Sequence, residues 1–157
     1  MHSSAIARGQ KGFLFLGNSE AGKTTVARLS VGLGYPALGD DINFVLRDGK
    51  SGYHLVAAPS PVLSPVGYSS LRPSLRGIFS LVQDERDHLV PMSSKQIAQV
   101  LFDQFLHKTP YTKKLPDQAI ELAFRTCCTI ARTVPGYELH FRKSPDFWKV
   151  IDAEFGL

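Results

Sequence analysis

The chain has 157 residues, 43% of them apolar and 20% charged, a composition that excludes a disordered or low-complexity protein. Its length suits one domain over residues 1–157 with a core of its own, and its net charge of +4 suits either a polyanion ligand or an ordinary surface. No apolar run has the length of a membrane span, and the opening residues lack the apolar core of a signal peptide.

In chain order, Met1 to Arg8 reads as a strand and Gly9 to Gly12 as the turn into a second strand, Phe13-Leu14-Phe15-Leu16. The second strand runs directly into Gly17-Asn18-Ser19-Glu20-Ala21-Gly22-Lys23-Thr24, which fits the Walker A spacing G-x-x-x-x-G-K-[ST] of a P-loop. Gly17 and Gly22 permit backbone angles that a β-carbon would forbid, so successive N–H groups can converge on one anion. The helix that follows adds unsatisfied N-terminal donors and a positive dipole end. Nucleotide phosphate is therefore expected on Gly17, Asn18, Ser19, Glu20, Ala21, Gly22, Lys23, Thr24 and Thr25, with Lys23 at the β and γ phosphates and the Thr24 hydroxyl on Mg²⁺.

That helix is expected over Thr24 to Leu33, with Val26, Leu29 and Leu33 at helical spacing before Gly34. Asp40-Asp41 follows after one short connection. Two adjacent carboxylates repel when confined together, so a cation or a shared proton is expected between them, although an acidic surface turn has the same residues. Their place soon after the loop helix favours an Mg²⁺-binding acid beside the loop.

Arg47 to Gly52 reads as a hairpin turn with Tyr53 to Val56 returning, and Ala58 to Arg76 as a long Pro-rich loop, either a binding element or a surface loop. Leu75 to Val82 is the next strand, Gln83 to Asp87 a polar turn, and His88 to Val90 a short edge strand. Ser93 and Gln96 form a capping box for a helix that buries Ile97, Val100, Leu101 and Phe105. Pro116 opens a further helix, in which Ala119, Ile120, Ala123, Phe124, Cys127 and Ala131 follow the same period. Cys127 and Cys128, adjacent on this helix, favour neither a disulfide nor a metal pair; small core fillers in a reducing cytoplasm are expected. Tyr137 to Phe141 alternates as a half-buried strand, and Ser144-Pro145 is expected to cap a last helix carrying Phe147, Trp148, Ile151 and Phe155. Strands gather around the loop and helices come mostly later, which predicts an α/β fold with a mixed sheet.

These pieces, in this order, resemble the HPr kinase/phosphorylase catalytic domain and its smaller relatives, P-loop proteins whose fold is shared with PEP carboxykinase. The resemblance rests on His2-Ser3-Ser4-Ala5, Gly17 to Thr24, Gly34-Tyr35 to Asp40-Asp41, Leu75-Arg76 to Leu81, Val90-Pro91-Met92-Ser93, and Tyr137-x-Leu139-x-Phe141 with Asp146-Phe147-Trp148, and it spans nearly the whole chain. It implies a P-loop mixed-sheet domain with helices packed C-terminally, and an HPr-kinase-like serine kinase, a phosphotransferase using ATP and Mg²⁺. Lys23 would neutralise the transferring phosphate, Thr24 and Asp41 would hold Mg²⁺, Asp40 would take the proton of a serine hydroxyl, and His2 would steer Asp40. Arg76 is either a further phosphate contact or a solvated side chain. The usual relatives carry sequence ahead of the His2 strand, so an upstream segment is expected among them. No second HPr-gripping signature is recognisable in residues 58–90, so the acceptor expected is a serine-bearing protein or peptide.

Two other functions compete. A small-molecule kinase would need an arginine-bearing lid, for which Arg132 and Arg142 stand without a loop pattern; a nucleotide-binding module without transfer activity would keep the loop alone. Scattered basic residues argue against a nucleic-acid partner, no membrane partner is expected, and a homo-oligomer is left open.

Overall fold

Phe13, Leu14, Phe15 and Leu16 are all fully buried, and the sheet is built outward from them. In the computed structural model, which describes residues 1–49, 52–57, 71–108 and 115–157, β1 (Ser4–Arg8) and β2 (Lys11–Leu16) form an antiparallel hairpin closed at Gly9-Gln10. Helix α1 (Lys23–Gly32) leads to β3 (Ala37–Gly39), which pairs with the free edge of β1, and then to a hairpin of β4 (Phe44–Asp48) and β5 (Gly52–Val56). The long strand β6 (Ser74–Gln83) lies parallel to β2. It is followed by β7 (His88–Pro91), α2 (Ser94–Lys108), α3 (Asp117–Thr133), β8 (Gly136–Phe141) and α4 (Phe147–Phe155). Strand β8 runs parallel to the C-terminal half of β6, and β7 closes antiparallel on β8. The sheet is mixed, as the order of elements predicts.

The unbroken apolar run of β2 has a physical reason: both of its faces are covered, so neither alternate set of side chains can be polar. Phe13 and Phe15 point into an aromatic layer with Phe79, Phe147, Trp148 and Ile151, which also receives Val26 and Ala27 of α1. Leu14 and Leu16 join an aliphatic layer with Ile78 and with Ile97, Leu101, Cys127, Ile130 and Ala131 of α2 and α3. Phe15 stacks on Phe79 at 5.1 Å between centroids, and the Trp148 indole N–H donates to Ser30 Oγ at 2.9 Å, tying α4 to α1 through the core.

Local signals are met at several ends. Ser93 N donates to Gln96 Oε1 at 2.9 Å, the reciprocal half of the capping box. Gly34 follows α1 at a φ of 82°, a left-handed conformation suited to glycine.

Other expectations are corrected. Helix α1 stops at Gly32, so Leu33 becomes its C-cap and is 46% exposed. Phe124 shares the helical period of Cys127 yet is 47% exposed, its ring set edge-on against Phe102 of α2 while burial in α3 is confined to Cys127, Ile130 and Ala131. Helix α4 begins at Phe147 with Asp146 as its N-cap; Ser144 Oγ instead accepts from Asp146 N at 3.1 Å, so Ser144-Pro145 forms the turn before the helix. Residues 50–51 of the β4–β5 turn and 58–70 of the Pro-rich loop lie outside the described residues.

Candidate functional site

Strand direction collects the site. Strands β2, β3, β6 and β8 all run the same way, and β1 runs opposite to them, so the C-terminal ends of four strands and the start of the fifth share one edge of the sheet. Open parallel sheets take ligands at such edges.

The Gly17–Thr24 loop leaves β2 there. A β-carbon on Gly17 would stand 2.6 Å from the Ala21 β-carbon, and one on Gly22 would stand 2.7 Å from Phe141 Cζ, so both positions require glycine for close approach. Gly22, the N-cap of α1, has a φ of 108°, and Glu20 has a φ of 68°. Left-handed residues at these two positions supply the alternation by which successive N–H groups turn toward one anion. Lys23 is 7% exposed, and its ammonium donates to Gly17 O at 2.7 Å and Asn18 O at 2.8 Å, so the loop is folded around its own cation. Ser4 Oγ, buried in β1, donates to Lys23 O at 2.9 Å and locks the start of α1 to the sheet.

The acid pair is held from the opposite side. Asn43, 1% exposed, donates from Nδ2 to Ser3 O at 2.6 Å and to Ser3 Oγ at 3.0 Å. Gly39 leaves the room for this, because a β-carbon there would collide with Asn43 Oδ1. Ser3 N donates to Asp41 O, and Asn43 N to Met1 O, both at 3.0 Å, and His2 forms an isolated bridge with Ile42. The turn carrying Asp40 and Asp41 is thus hydrogen-bonded along the stretch that carries His2. The His2 ring pairs through Nδ1 with Asp41 Oδ1 at 2.7 Å.

One open cleft of about 510 Å³ joins these parts. Its walls include His2, Ser19, Glu20, Gly22, Lys23, Thr24, Thr25, Asp40 and Asp41. Gly17, Asn18 and Ala21 shape the loop from behind without lining the cleft. Thr24 and Asp41 put a hydroxyl and a carboxylate on the same cleft, the all-oxygen donor set that a hard cation such as Mg²⁺ takes.

Two further wall residues, Gln83 and Lys143, escape the sequence reasoning. Gln83 ends β6 and donates from Nε2 to Glu20 O at 2.7 Å, bracing the loop; Lys143 follows β8 and brings a second cation. The signal for both is position, since each lies at the C-terminal end of a strand on the P-loop side of the sheet. Arg76 is placed elsewhere. It is exposed at a register shift near the start of β6, opposite Gly12 and Phe13, at the far end of the sheet from the loop. Arg142 is engaged with Asp87, donating from Nε at 2.9 Å and from a terminal nitrogen at 2.7 Å. Arg132 lies in a groove between α2 and α3 with Phe102 and Phe124.

Every segment of this cleft falls within residues 1–155, which match the family model described as "SynChlorMet cassette protein ScmC". The chain belongs to the ScmC family. Among solved structures it is similar to the Hpr(Ser) kinase/phosphatase from Coxiella burnetii, with a TM-score of 0.57 over 99% of this chain and 95% of that one, at 11% sequence identity. The likeness shows the fold: this ScmC-family chain is an α/β, mixed-sheet P-loop domain of the HPr kinase type, with its later helices packed on the sheet. No curated protein matches its sequence. Among the described residues no helix is long and apolar enough to cross a membrane.

Proposed function

We propose that residues 1–157 form one HPr-kinase-like domain that transfers the γ-phosphate of ATP, with Mg²⁺, to a serine hydroxyl of a protein or peptide. The observation that carries this reading is the single cleft in which Lys23 and Thr24 stand with Asp40, Asp41 and His2. The residues fit such a ligand: left-handed Glu20 and Gly22 turn the loop as an anion-binding nest requires, and hydroxyl and carboxylate oxygens suit Mg²⁺. Bound Mg·ATP supplies the phosphoryl group and the cation that offsets its charge.

The chain's own groups do the rest. Lys23 exchanges its two loop carbonyls for phosphate oxygens, and the Gly17–Thr25 amides with the start of α1 fix the phosphates in place. Thr24 Oγ1 and Asp41 hold the cation, and Asp40 accepts the proton of the acceptor hydroxyl. Positioning and charge neutralisation of this kind supply most of the catalysis in phosphoryl transfer. The His2–Asp41 pair favours a second assignment in which the two acids exchange roles, because a histidine at 2.7 Å orients Asp41 as it would a proton acceptor.

Measured ATP affinity and phosphate transfer separate these readings. Lys23→Ala is expected to abolish ATP binding. Asp40→Asn is expected to spare binding and to lower transfer by about 10²- to 10⁴-fold, whereas Asp41→Asn weakens the Mg²⁺-dependent part of binding. The reverse pattern in the two acid variants exchanges their roles. Labelled γ-phosphate ATP incubated with the protein and a lysate identifies the acceptor; ATP binding with no labelled species would leave a nucleotide-binding module, and no ATP binding would overturn the proposal.

A further inference from the structure

Away from the P-loop, Asp84, His88 and His140 bring a carboxylate and two imidazoles to one point on the sheet surface. Topology puts them there. His88 of β7 lies directly opposite His140 of β8 in the antiparallel register, and the two rings stack with centroids 4.2 Å apart and planes 19° from parallel. The turn from β6 to β7 carries Asp84 round so that its Oδ2 lies 2.8 Å from His140 Nδ1. Asp84 is fixed in turn by its own N–H, which donates to Phe141 O at 3.0 Å, and by its Oδ1, which accepts from Glu85 N at 2.6 Å. Glu138, two residues before His140 and so on the same face of β8, has Oε2 at 3.6 Å from His140 Nε2.

One donor atom from each of Asp84, His88 and His140 lies within 4.8 Å of the other two. A tetrahedral shell with bonds of 2.0–2.1 Å spaces its donors about 3.4 Å apart, so small side-chain rotations close the set on one ion. We propose that Asp84, His88 and His140, with water completing the shell, form a site for Zn²⁺ or a similar first-row divalent cation, while Glu138 stays on the other ring nitrogen of His140. Two imidazoles with one carboxylate select that class; Mg²⁺, which takes oxygen, is not its ion. The site is independent of the kinase reading, and an ion there staples the β6–β7 turn to β8 beside the cleft residues Gln83 and Lys143.

The test titrates Co²⁺, then Zn²⁺, into the full chain in excess Mg²⁺. Expected are the visible bands of a tetrahedral Co²⁺ centre saturating at one equivalent, displaced by Zn²⁺, and a higher melting temperature with Zn²⁺. His88→Ala, His140→Gln and Asp84→Asn should each weaken the affinity by about tenfold or more, and Asp41→Asn should leave it unchanged. His88 is exposed, so its alanine variant keeps the fold, and the melting curve in chelator verifies this. Absence of a saturable equivalent, or wild-type affinity in both histidine variants, would overturn the proposal; the latter marks an adventitious ion, for instance at His54 and Asp48.

Discussion

Strands β2 and β4 are both short and rich in large apolar residues, yet they end in opposite environments. Phe13 to Leu16 are fully buried, whereas Phe44 is 54% and Leu46 is 49% exposed. Strand β2 has a partner on each edge and a helical layer on each face; among the described residues β4 pairs with β5 alone, and β5 meets β6 over a short stretch, where His54 stands opposite Ser74 and Leu55 N donates to Pro73 O. Similar side chains therefore contribute very different stability according to their place in the sheet. The acid turn lies where the chain passes from one regime to the other. Its hydrogen bonds come from Asn43 and the His2–Ser3 stretch, whereas the β4 strand that follows it is largely exposed.

The sharpest way to break the comparison is at the centre. Phe15→Ala removes a ring stacked on Phe79 and is expected to cost about 3–5 kcal/mol, read from denaturant unfolding; a loss near that of a surface substitution would mean that β2 does not organise the core. Asn43→Ala comes next, at about 1–3 kcal/mol, because Ser3 O and Ser3 Oγ lose their buried donor. It should also weaken Mg²⁺-dependent ATP binding more than Mg²⁺-free binding, and an equal effect on both would place control of the acids elsewhere. Phe44→Ser should change stability by no more than about 0.5 kcal/mol. A loss several times larger in the unfolding curve would show that β4 is covered, and the contrast would vanish.

What could be read in the residues follows the range of the forces involved. The loop glycines, the capping box and the acid pair are local signals: a fixed spacing, a reciprocal hydrogen bond within four residues, two charges side by side. The apolar run of β2 also announces itself, because burial on both faces leaves no polar alternate. Gln83 and Lys143 were not legible, since their approach to the loop depends on β6 lying beside β2 and β8 beside β6, pairings made across long stretches of chain. Arg76 is the same lesson with the opposite sign, for a strand's residues reveal its faces and not which end meets the loop. Phe124 fails for a related reason. Periodicity marks an apolar face, and only the packed neighbours decide whether anything lies against it.

The walls of the cleft are drawn from positions as far apart as His2 and Lys143. No contiguous fragment of the chain can rehearse this arrangement, so the pocket exists only once the entire sheet has closed. A nucleotide settled in it would slow amide exchange across the domain as a whole, in strands remote from the phosphates as much as in the loop that grips them.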